Sequence, residues 1–448
     1  MDMNNLLSRR IALLGAAGAV PLLQPAAAQQ AGTPQPGAPQ PGVYDVKQFG
    51  ASGRKAEKAT KAFQAAIDAA AGAGGGLVHI SPGEYTCGPV DIKSNVTLHL
   101  AAGATVFVSR DPADYPSGRN RRRALFNANN VENIALTGKG KVDGQGTWEW
   151  RLPDTNAYTT RPIQAEIDIA RQAGLDMRYY HTTGPAISSV AFTRATNVLI
   201  EDVTLINSSG WCMPLTECDR VFLRGVHLYS DLDKAVNSDG IDLVSSKNVL
   251  ISDCILVTAD DCISLKTRRN GAPIENVTVT NCVLTSSSSA FVIGVETWAD
   301  IHHVMLTNSV IRNSNRGVRV AVWNGCTVSD VVFSNLVMDL NRRHYNWWGN
   351  AEAFQFIVWQ ETADSPLGVI RDVTVDQIIS RSRGTSALLG PADQRRLENI
   401  SISNVRTAML PENTADKRAT HALRVEGVRG LKVRDFSVSW DEQKPEPK

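Results

Sequence analysis

The sequence lacks an excess of either charge and, beyond its N-terminus, any long apolar run. Among 448 residues, 46 Lys and Arg face 45 Asp and Glu, which gives a net charge of +1. A chain this close to neutral has no electrostatic footprint of a nucleic-acid-binding protein. No later stretch approaches the roughly 18 consecutive apolar residues that a membrane-spanning helix needs. We therefore expect neither a nucleic-acid partner nor a membrane span.

Cysteine and histidine are also scarce, and neither shows the spacing of a metal site. The seven cysteines match no zinc motif, and the eight histidines show no metal-binding pattern. Because the cysteine count is odd, at least one thiol is free. Cys254, Cys262 and Cys282 follow apolar positions of predicted strands, which favours a ladder of thiols in the interior over a disulfide scaffold. A disulfide between Cys212 and Cys218 stays open. We expect no cofactor.

The N-terminal segment has the features of an export signal. Arg9 and Arg10 precede a short apolar run and a small-residue cleavage site, so residues 1–28 are predicted to be a signal peptide. The paired arginines indicate the twin-arginine route, and an ordinary secretory signal is the alternative. Residues 29–42 are rich in Pro, Gly and Gln and are predicted to be a linker. We expect the remainder, 43–448, to be one domain located in the periplasm or outside the cell.

A repeated pattern dominates this domain. A polar residue or glycine followed by an apolar residue, most often Asn-Val, anchors a stretch of alternating apolar positions. The anchors are Asn197, Arg220, Asn248, Asn276, His303, Asp330, Asp372, Asn399 and Gly430. Between the second and the sixth, they are spaced by about 27 residues, which is typical of a solenoid. Short apolar strands bury their inward residues when successive coils stack, and parallel crossovers are right-handed. The sequence therefore predicts an all-β fold, a right-handed parallel β-helix.

The start of the domain predicts a cap for this solenoid. A first strand is expected at Tyr44–Gly50. Apolar residues at helical spacing then predict a short amphipathic helix within Lys58–Ala71, which the following glycines end. Such a helix would cover the exposed edge of the first coil. The repeat is interrupted at Thr147–Gly184, where Ile163–Ala173 has a helical pattern, and again between Val331 and Val373. Insertions of this kind often wall a binding cleft.

Three carboxylates interrupt the most regular part of the repeat. Asp239 is followed by glycine, and Asp260 and Asp261 are adjacent, 21 and 22 positions later. An isolated Asp-Gly or Asp-Asp is usually a surface turn. Here the repeat places Asp239 and Asp260 at similar phases of neighbouring coils. We therefore expect an acidic cleft on one face of the solenoid, where like charges raise the pKa of one member.

Motifs around these acids resemble a known family. GKGKVDGQGTWEW, NSDGID and DDCISLK are similar to blocks of glycoside hydrolase family 28, the polygalacturonase family, and the resemblance covers nearly all of the domain. It implies an inverting glycosidase in which Asp260 is the general acid and Asp239 and Asp261 position and deprotonate water. In such enzymes acid and base lie roughly 6.5–9.5 Å apart. The resemblance also implies an acidic polysaccharide or oligosaccharide substrate. Asn237 and Lys266 belong to the matching blocks and are expected to bind it, and a monomer is expected.

Two further blocks of the family are altered in this chain. Where the family has Gly-His-Gly, this sequence has Ser288-Ser289-Ala290, and where it has Arg-Ile-Lys, this sequence has Arg319-Val320-Ala321. The resemblance implies that Arg319 grips the carboxylate of the substrate. The lysine is missing, and Arg316 is the candidate for a relocated cation. Retained acids with altered binding residues indicate the same chemistry on a changed substrate.

Two more features are candidates for sugar contacts. Glu296 follows a strand on the coil next to the Asp pair and is expected to contact substrate hydroxyls or to tune the acid. The alternative is an exposed glutamate at a strand end. Trp347 and Trp348 lie in the second interruption of the repeat and are expected to stack on pyranose rings, because a tryptophan-rich loop otherwise needs a core.

Three functions are consistent with these residues. The first is an inverting hydrolase of a pectin-type glycan. The second is a β-elimination lyase on the same fold, which would need a Ca²⁺ site beside a basic residue. The third is a glycan-binding β-helix without activity, which would not need to keep the acids. The retained acids favour the hydrolase.

Overall fold

Two long parallel sheets form the body of the protein. The computed structural model describes residues 42–115, 123–152, 180–184, 186–342, 349–360, 362, 364–391, 396–411 and 419–441. In chain order the strands are β1 (Gly42–Asp45), β2 (Gly76–Ile80), β3 (Gly83–Cys87), β4 (Val90–Asp91), β5 (Val96–Leu100), β6 (Ala104–Val108), β7 (Arg123–Asn129), β8 (Glu132–Thr137), β9 (Lys141–Asp143), β10 (Trp150–Arg151), β11 (His181–Thr182), β12 (Ile187–Thr193), β13 (Thr196–Glu201), β14 (Thr204–Ile206), β15 (Met213–Thr216), β16 (Asp219–Arg224), β17 (His227–Tyr229), β18 (Ile241–Val244), β19 (Lys247–Ser252), β20 (Ile255–Thr258), β21 (Ile263–Thr267), β22 (Ile274–Thr280), β23 (Val283–Ser286), β24 (Ser289–Thr297), β25 (Ile301–Ser314), β26 (Arg316–Val322), β27 (Thr327–Leu340), β28 (Glu352–Val358), β29 (Val369–Ser382), β30 (Ser386–Leu389), β31 (Leu397–Met409), β32 (Leu423–Glu426), β33 (Val428–Arg429) and β34 (Lys432–Trp440). The helices are α1 (Thr60–Gly72) and the short 3-10 helices Val46–Phe49, Pro112–Asp114 and Gly146–Trp148.

The strands stack in register from coil to coil. Sheet B consists of β4, β7, β12, β15, β18, β21, β24, β26, β28, β30 and β32, and sheet A contains all other strands except the antiparallel pair β10–β11. Within sheet B, for example, Ile241 of β18 pairs with Ile263 of β21, which pairs with Phe291 of β24. The architecture is the right-handed parallel β-helix that the repeat predicts.

The anchors of the sequence repeat are the residues at which each coil bends. All nine have a positive φ, from 52° at Asn399 to 72° at Gly430. Asparagine, aspartate and glycine tolerate this left-handed conformation better than other residues. The side chains of this bend also bond between coils, since Asn276 Nδ2 donates to Asn248 Oδ1 over 2.8 Å. The anchors therefore serve both the bend and the stacking.

Inward-facing residues form one continuous core along the solenoid axis. Phe291, Phe333 and Phe356 belong to it, with centroids of successive rings 5.8 and 5.9 Å apart. Phe291 and Phe356 belong to sheet B and Phe333 to sheet A, so their contacts show how the two sheets of successive coils bury apolar surface that one coil could not bury alone.

The two ends of the solenoid differ. Helix α1 packs Phe63, Ala66 and Ile67 into the core and confirms the predicted cap. At the other end, Val433 and Trp440 of β34 pair with the buried Ile402 and Met409 of β31, but are 44% and 50% exposed. They are exposed because no further described coil covers them.

One local prediction was wrong, and one open question is answered. The first strand does not run to Gly50: it ends at Asp45, whose carboxylate accepts a hydrogen bond from the Lys47 N–H and starts a 3-10 helix. Cys212 and Cys218 do not pair, and all seven cysteines are buried free thiols. Cys254 and Cys282 lie on neighbouring coils, as expected for an interior ladder, and each thiol donates to the carbonyl two residues before it, those of Ser252 and Thr280.

The first interruption of the repeat is closed at its base by β10 and β11. Its predicted helical segment, Ile163–Ala173, lies outside the described residues, as do the signal peptide and nearly all of the linker. In the described part of the chain, no helix has the length and apolar character needed to cross a bilayer.

Candidate active site

The three predicted acids meet at the edge of sheet B where its strands begin. Asp239 lies two residues before β18, and Asp260 and Asp261 come just before the neighbouring β21. One carboxylate oxygen of each lies within 4.8 Å of the other two. The side chains of Asp239 and Asp260 are buried, and that of Asp261 is half-buried. The structure therefore brings together the acidic residues that the repeat places on adjacent coils.

Tight backbone contacts between the two coils hold the acids in place. Asn237 has a φ of 54°, which turns the chain into β18. The Gly240 N–H donates to the Asp261 carbonyl over 2.8 Å. A Cβ at Gly240 would lie 2.4 Å from the Cys262 carbonyl oxygen. Position 240 therefore requires glycine because the neighbouring coil approaches so closely.

Asp260 sits in an unfavourable environment for a negative charge. Its carbonyl oxygen accepts hydrogen bonds from the hydroxyls of Thr258 and Ser286, and its Oδ1 accepts the Asp261 N–H over 3.0 Å. The preceding Ala259 packs against Trp150 from the first interruption. Burial, together with the charge of Asp261, raises the pKa of Asp260 to about 8. At neutral pH this carboxyl group holds its proton.

Asp261 has a different set of contacts. Its Oδ1 accepts the Ser289 N–H from the next coil over 3.0 Å, and its half-buried side chain reaches solvent. This bond orients the carboxylate towards the cluster.

A buried lysine supplies the counter-charge of the cluster. Lys266 Nζ donates to Asp239 Oδ2 over 2.9 Å and to Asp242 Oδ1 over 2.7 Å, and it lies 3.8 Å from the ring centroid of Trp211. Ser264 also donates to Asp242, over 2.6 Å. Lys266 was predicted to bind substrate, but the structure places its side chain, 7% exposed, between two carboxylates.

Asp242 is the functional candidate that the sequence analysis missed. It is fully buried, and its Oδ2 has no hydrogen-bond partner among the described residues. The signal was present in the NSDGID block, where Asp242 alternates with the inward residues Ile241 and Leu243 and therefore belongs to the outward face of β18. An acidic residue on that face, one coil from Lys266, could have been paired with it.

Charge and burial oppose each other at Asp239 and Lys266. Burial raises the pKa of Asp239 well above its usual range, although the Lys266 ammonium counteracts this. Burial disfavours the charge of Lys266, yet Asp239 and Asp242 outweigh it and raise the lysine pKa well above its ordinary value. Lys266 is therefore a cation, and the neighbouring carboxyl groups are not all ionised at the same time.

Beyond the acids, the same edge of the sheet carries a buried ion pair. Ser289, Arg316 and Glu352 pair in register on successive coils. Arg316 Nε donates to Glu352 Oε1 over 2.7 Å, and both side chains are buried. Arg316 was predicted as a relocated substrate cation, but its guanidinium is already engaged by Glu352.

Arg319 occupies the outward face of β26. Its side chain is half-buried, and its Nε has no hydrogen-bond partner in the described structure. Burial, followed by the neighbouring Arg316, lowers its pKa to about 9. It is the better placed of the two arginines for an anionic ligand, because an incoming carboxylate would relieve both effects.

Four further residues were predicted to contact the sugar. Asn237 and Glu296 are exposed, and Glu296 is near enough to act electrostatically on Lys266. Trp347 and Trp348 lie outside the described residues.

The comparisons with known proteins give the family of the chain. The model of glycosyl hydrolases family 28 matches residues 78–413, a region that includes all of these acids. The chain belongs to glycosyl hydrolase family 28.

Curated relatives have similar descriptions. The chain is 25% identical over 303 residues to a probable polygalacturonase of Arabidopsis thaliana, covering 66% of this chain and 62% of the relative. It is 27% identical over 298 residues to an exo-poly-alpha-D-galacturonosidase of Dickeya chrysanthemi, covering 58% and 48%. The chain thus spans about half to three fifths of the length of these relatives.

Solved structures support the fold. The exopolygalacturonase of Thermotoga maritima superposes with a TM-score of 0.70 at 24% identity, covering 90% of this chain and 93% of the other. At that identity the likeness concerns the β-helix alone.

Proposed function

We propose that the protein hydrolyses glycosidic bonds of a pectin-type glycan, one that contains galacturonate or rhamnogalacturonan. The observation that carries this proposal is the acid cluster. Asp239, Asp260 and Asp261 converge to within 4.8 Å, and the buried Asp260 keeps its proton at neutral pH. A protonated carboxyl beside carboxylates is the arrangement that glycoside hydrolysis requires.

Asp260 acts as the general acid. Hydrolysis needs a proton for the glycosidic oxygen as the bond breaks, and a carboxyl with a pKa of about 8 carries that proton at pH 7. No cation is in hydrogen-bond contact with the Asp260 carboxyl among the described residues, whereas Asp239 has Lys266 at 2.9 Å. Burial raises the pKa of both carboxyls, and we assign the proton to Asp260 because Lys266 favours the charged form of Asp239.

Asp239 and Asp261 hold the attacking water. Hydrogen bonds of water to oxygen are about 2.7–2.8 Å long, so one water can bridge two carboxylate oxygens less than 5 Å apart. Lys266 stabilises the charge of Asp239, which accepts the proton of the water. This assignment is single displacement with inversion, although the oxygens approach more closely than the roughly 6.5–9.5 Å typical of acid and base in inverting enzymes.

Arg319 binds the carboxylate of the sugar at the cleavage point. Its Nε has no partner in the described structure, and its lowered pKa reflects burial beside another arginine. A uronate would supply the missing negative charge. An acidic substrate follows from this cation. Because the lysine of the family's Arg-Ile-Lys block is missing, the preferred glycan of this protein differs from plain polygalacturonate.

A panel of pectic polymers tests the proposal. Reducing ends and the absorbance of unsaturated products are measured together for wild type and for Asp260→Asn. Reducing ends without unsaturation, lost in the variant, are the expected result, and NMR of the fresh product reports whether its anomeric configuration is inverted. Unsaturated products would identify a lyase instead. Binding without turnover in the wild type would identify a glycan-binding protein.

We also propose that the protein is exported by the twin-arginine route. The paired arginines and the apolar run of residues 1–28 support this. Replacement of Arg9 and Arg10 by lysine is expected to leave the precursor inside the cell, as detected by fractionation. Unchanged export of that variant would instead favour the ordinary secretory route.

A further inference from the structure

Sheet B carries tryptophans where three successive strands end. Trp298 follows β24, Trp323 follows β26 and Trp359 follows β28. The backbone N–H of Trp323 donates to Thr297 Oγ1 over 2.8 Å, and the backbone N–H of Trp359 donates to the Val322 carbonyl over 2.9 Å. The three residues therefore lie at neighbouring positions on consecutive coils. We call them the tryptophan row.

The row is accessible to solvent and has a cation at one end. Trp298 and Trp323 are half-buried, and Trp359 is 56% exposed. The guanidinium of Arg269, from the end of β21, lies 4.6 Å from the ring centroid of Trp298. Large aromatic side chains usually occupy the core, and their repetition at an accessible sheet edge indicates a ligand with an apolar face.

The row borders the same part of sheet B as the acids. The beginnings of β21, β24, β26 and β28 carry Asp261, Ser289, Arg316 and Glu352. Arg269 and the tryptophan row lie at the ends of the same strands. The five residues of β21 span about 16 Å. An oligosaccharide must therefore extend several sugar units beyond the bond being cleaved in order to reach the row.

We infer that the tryptophan row and Arg269 form a distal binding site for a uronate-containing oligosaccharide. The inference rests on the proposed function and names the part of the substrate that this second site takes. Pyranose rings present apolar C–H faces to indole rings, and Arg269 pairs with a uronate carboxylate. Consecutive coils lie about 4.8 Å apart, so the row spans about 10 Å along the solenoid, enough for more than one sugar ring.

The test compares short and long uronate-containing oligosaccharides prepared from the panel of pectic polymers. Trp359→Ala and Trp298→Ala are measured beside wild type, with Trp440→Ala as the matched control, because Trp440 is 50% exposed on the last coil. Each row variant is expected to raise KM for long oligomers roughly three- to tenfold and to leave the shortest cleaved oligomer unchanged. Arg269→Gln is expected to bind the same long oligomers more weakly than wild type does. The binding by this variant should also depend less on salt concentration. Circular dichroism confirms that each variant is folded.

Binding to the Asp260→Asn protein, measured by calorimetry, separates this inference from the proposed function. Weaker binding of long oligomers to the row variants supports the row even where wild type shows no turnover. If wild type cleaves the oligomers and all variants have the same KM for long oligomers, the inference about the tryptophan row is overturned. The proposed hydrolase function is not affected by that result. Equal losses on short and long oligomers would also overturn it, since they would place the effect at the acids. Neither binding nor turnover of any of these oligosaccharides would reject both.

Discussion

The ammonium of Lys266 lies 2.9 Å from Asp239 Oδ2, and both side chains are buried. The two residues belong to neighbouring coils and are 27 positions apart in sequence. A buried ammonium in contact with the proposed base decides where the cluster keeps its negative charge. It also makes the site dependent on a residue that does not need to touch the substrate.

Replacement of Lys266 tests this dependence. Lys266→Met leaves Asp239 and Asp242 buried without a cation, which typically costs about 3–5 kcal/mol of folding free energy. We expect the kcat to fall by at least about a hundredfold, because Asp239 then holds a proton and cannot act as base. Urea unfolding and kcat are the measurements. Lys247→Met is the matched control, since Lys247 is 47% exposed and its ion pair with Glu275 is long, at 3.9 Å. A fully active Lys266→Met enzyme would contradict the assignment.

The pH dependence of the rate tests the role of Asp260. Because its pKa is raised to about 8, the proton needed by the leaving group is lost above that pH, and kcat/KM should fall there. Asp242 is one of the charges that raise this pKa. In Asp242→Asn, the alkaline limb of the profile should therefore move to lower pH. A limb that does not move would show that another group controls it.

The same carboxyl makes a prediction for stability. The pKa of Asp260 is higher in the folded than in the unfolded chain. Folding is therefore accompanied by uptake of a proton at any pH between these two pKa values. The contribution of Asp260 to stability is present at about pH 4 and is lost as the pH rises to about 8. Asp260→Asn has no such loss. Its stability relative to wild type should increase over this range in thermal unfolding, and a pH-independent difference would rule out the raised pKa.

Gly240 tests the close approach of the two coils. A Cβ there would lie 2.4 Å from the Cys262 carbonyl oxygen, so Gly240→Ala must push β18 away from β21. We expect loss of activity together with a lower melting temperature. Gly72→Ala is the control, because nothing lies within 4 Å of a Cβ at that position in α1. It should be neutral or stabilising, as alanine favours helix more than glycine does.

The bends of the coils can be tested at Asn276. Its φ of 60° and its bond to Asn248 are separable. Asn276→Gly loses the bond but keeps the conformation, whereas Asn276→Ala loses the bond and adds strain of about 1 kcal/mol. We expect alanine to destabilise more than glycine in urea unfolding. The reverse order would mean that the left-handed bend is not what selects asparagine.

The sequence by itself determined the coil, its bends and its acids. The anchors from Asn197 to Gly430 predict the coils because the left-handed bend restricts which residues occupy it, and that restriction is local. The juxtaposition of Asp239 with Asp260 and Asp261 follows from the repeat length. The predicted capping helix also followed from spacing alone, because its apolar residues lie close together in the sequence.

Only the tertiary structure decided how the charges are paired. Lys266 turned out to be a partner of Asp239 and the overlooked Asp242, and Arg316 a partner of Glu352 across 36 positions. The tryptophan row is equally invisible in the sequence, since Trp298, Trp323 and Trp359 are not evenly spaced. The repeat sets which coils are neighbours, but the loops between strands vary in length, and a long side chain can reach several groups. Which pair forms depends on the register of β18 to β28 and on burial, which acts only once the coils are packed together.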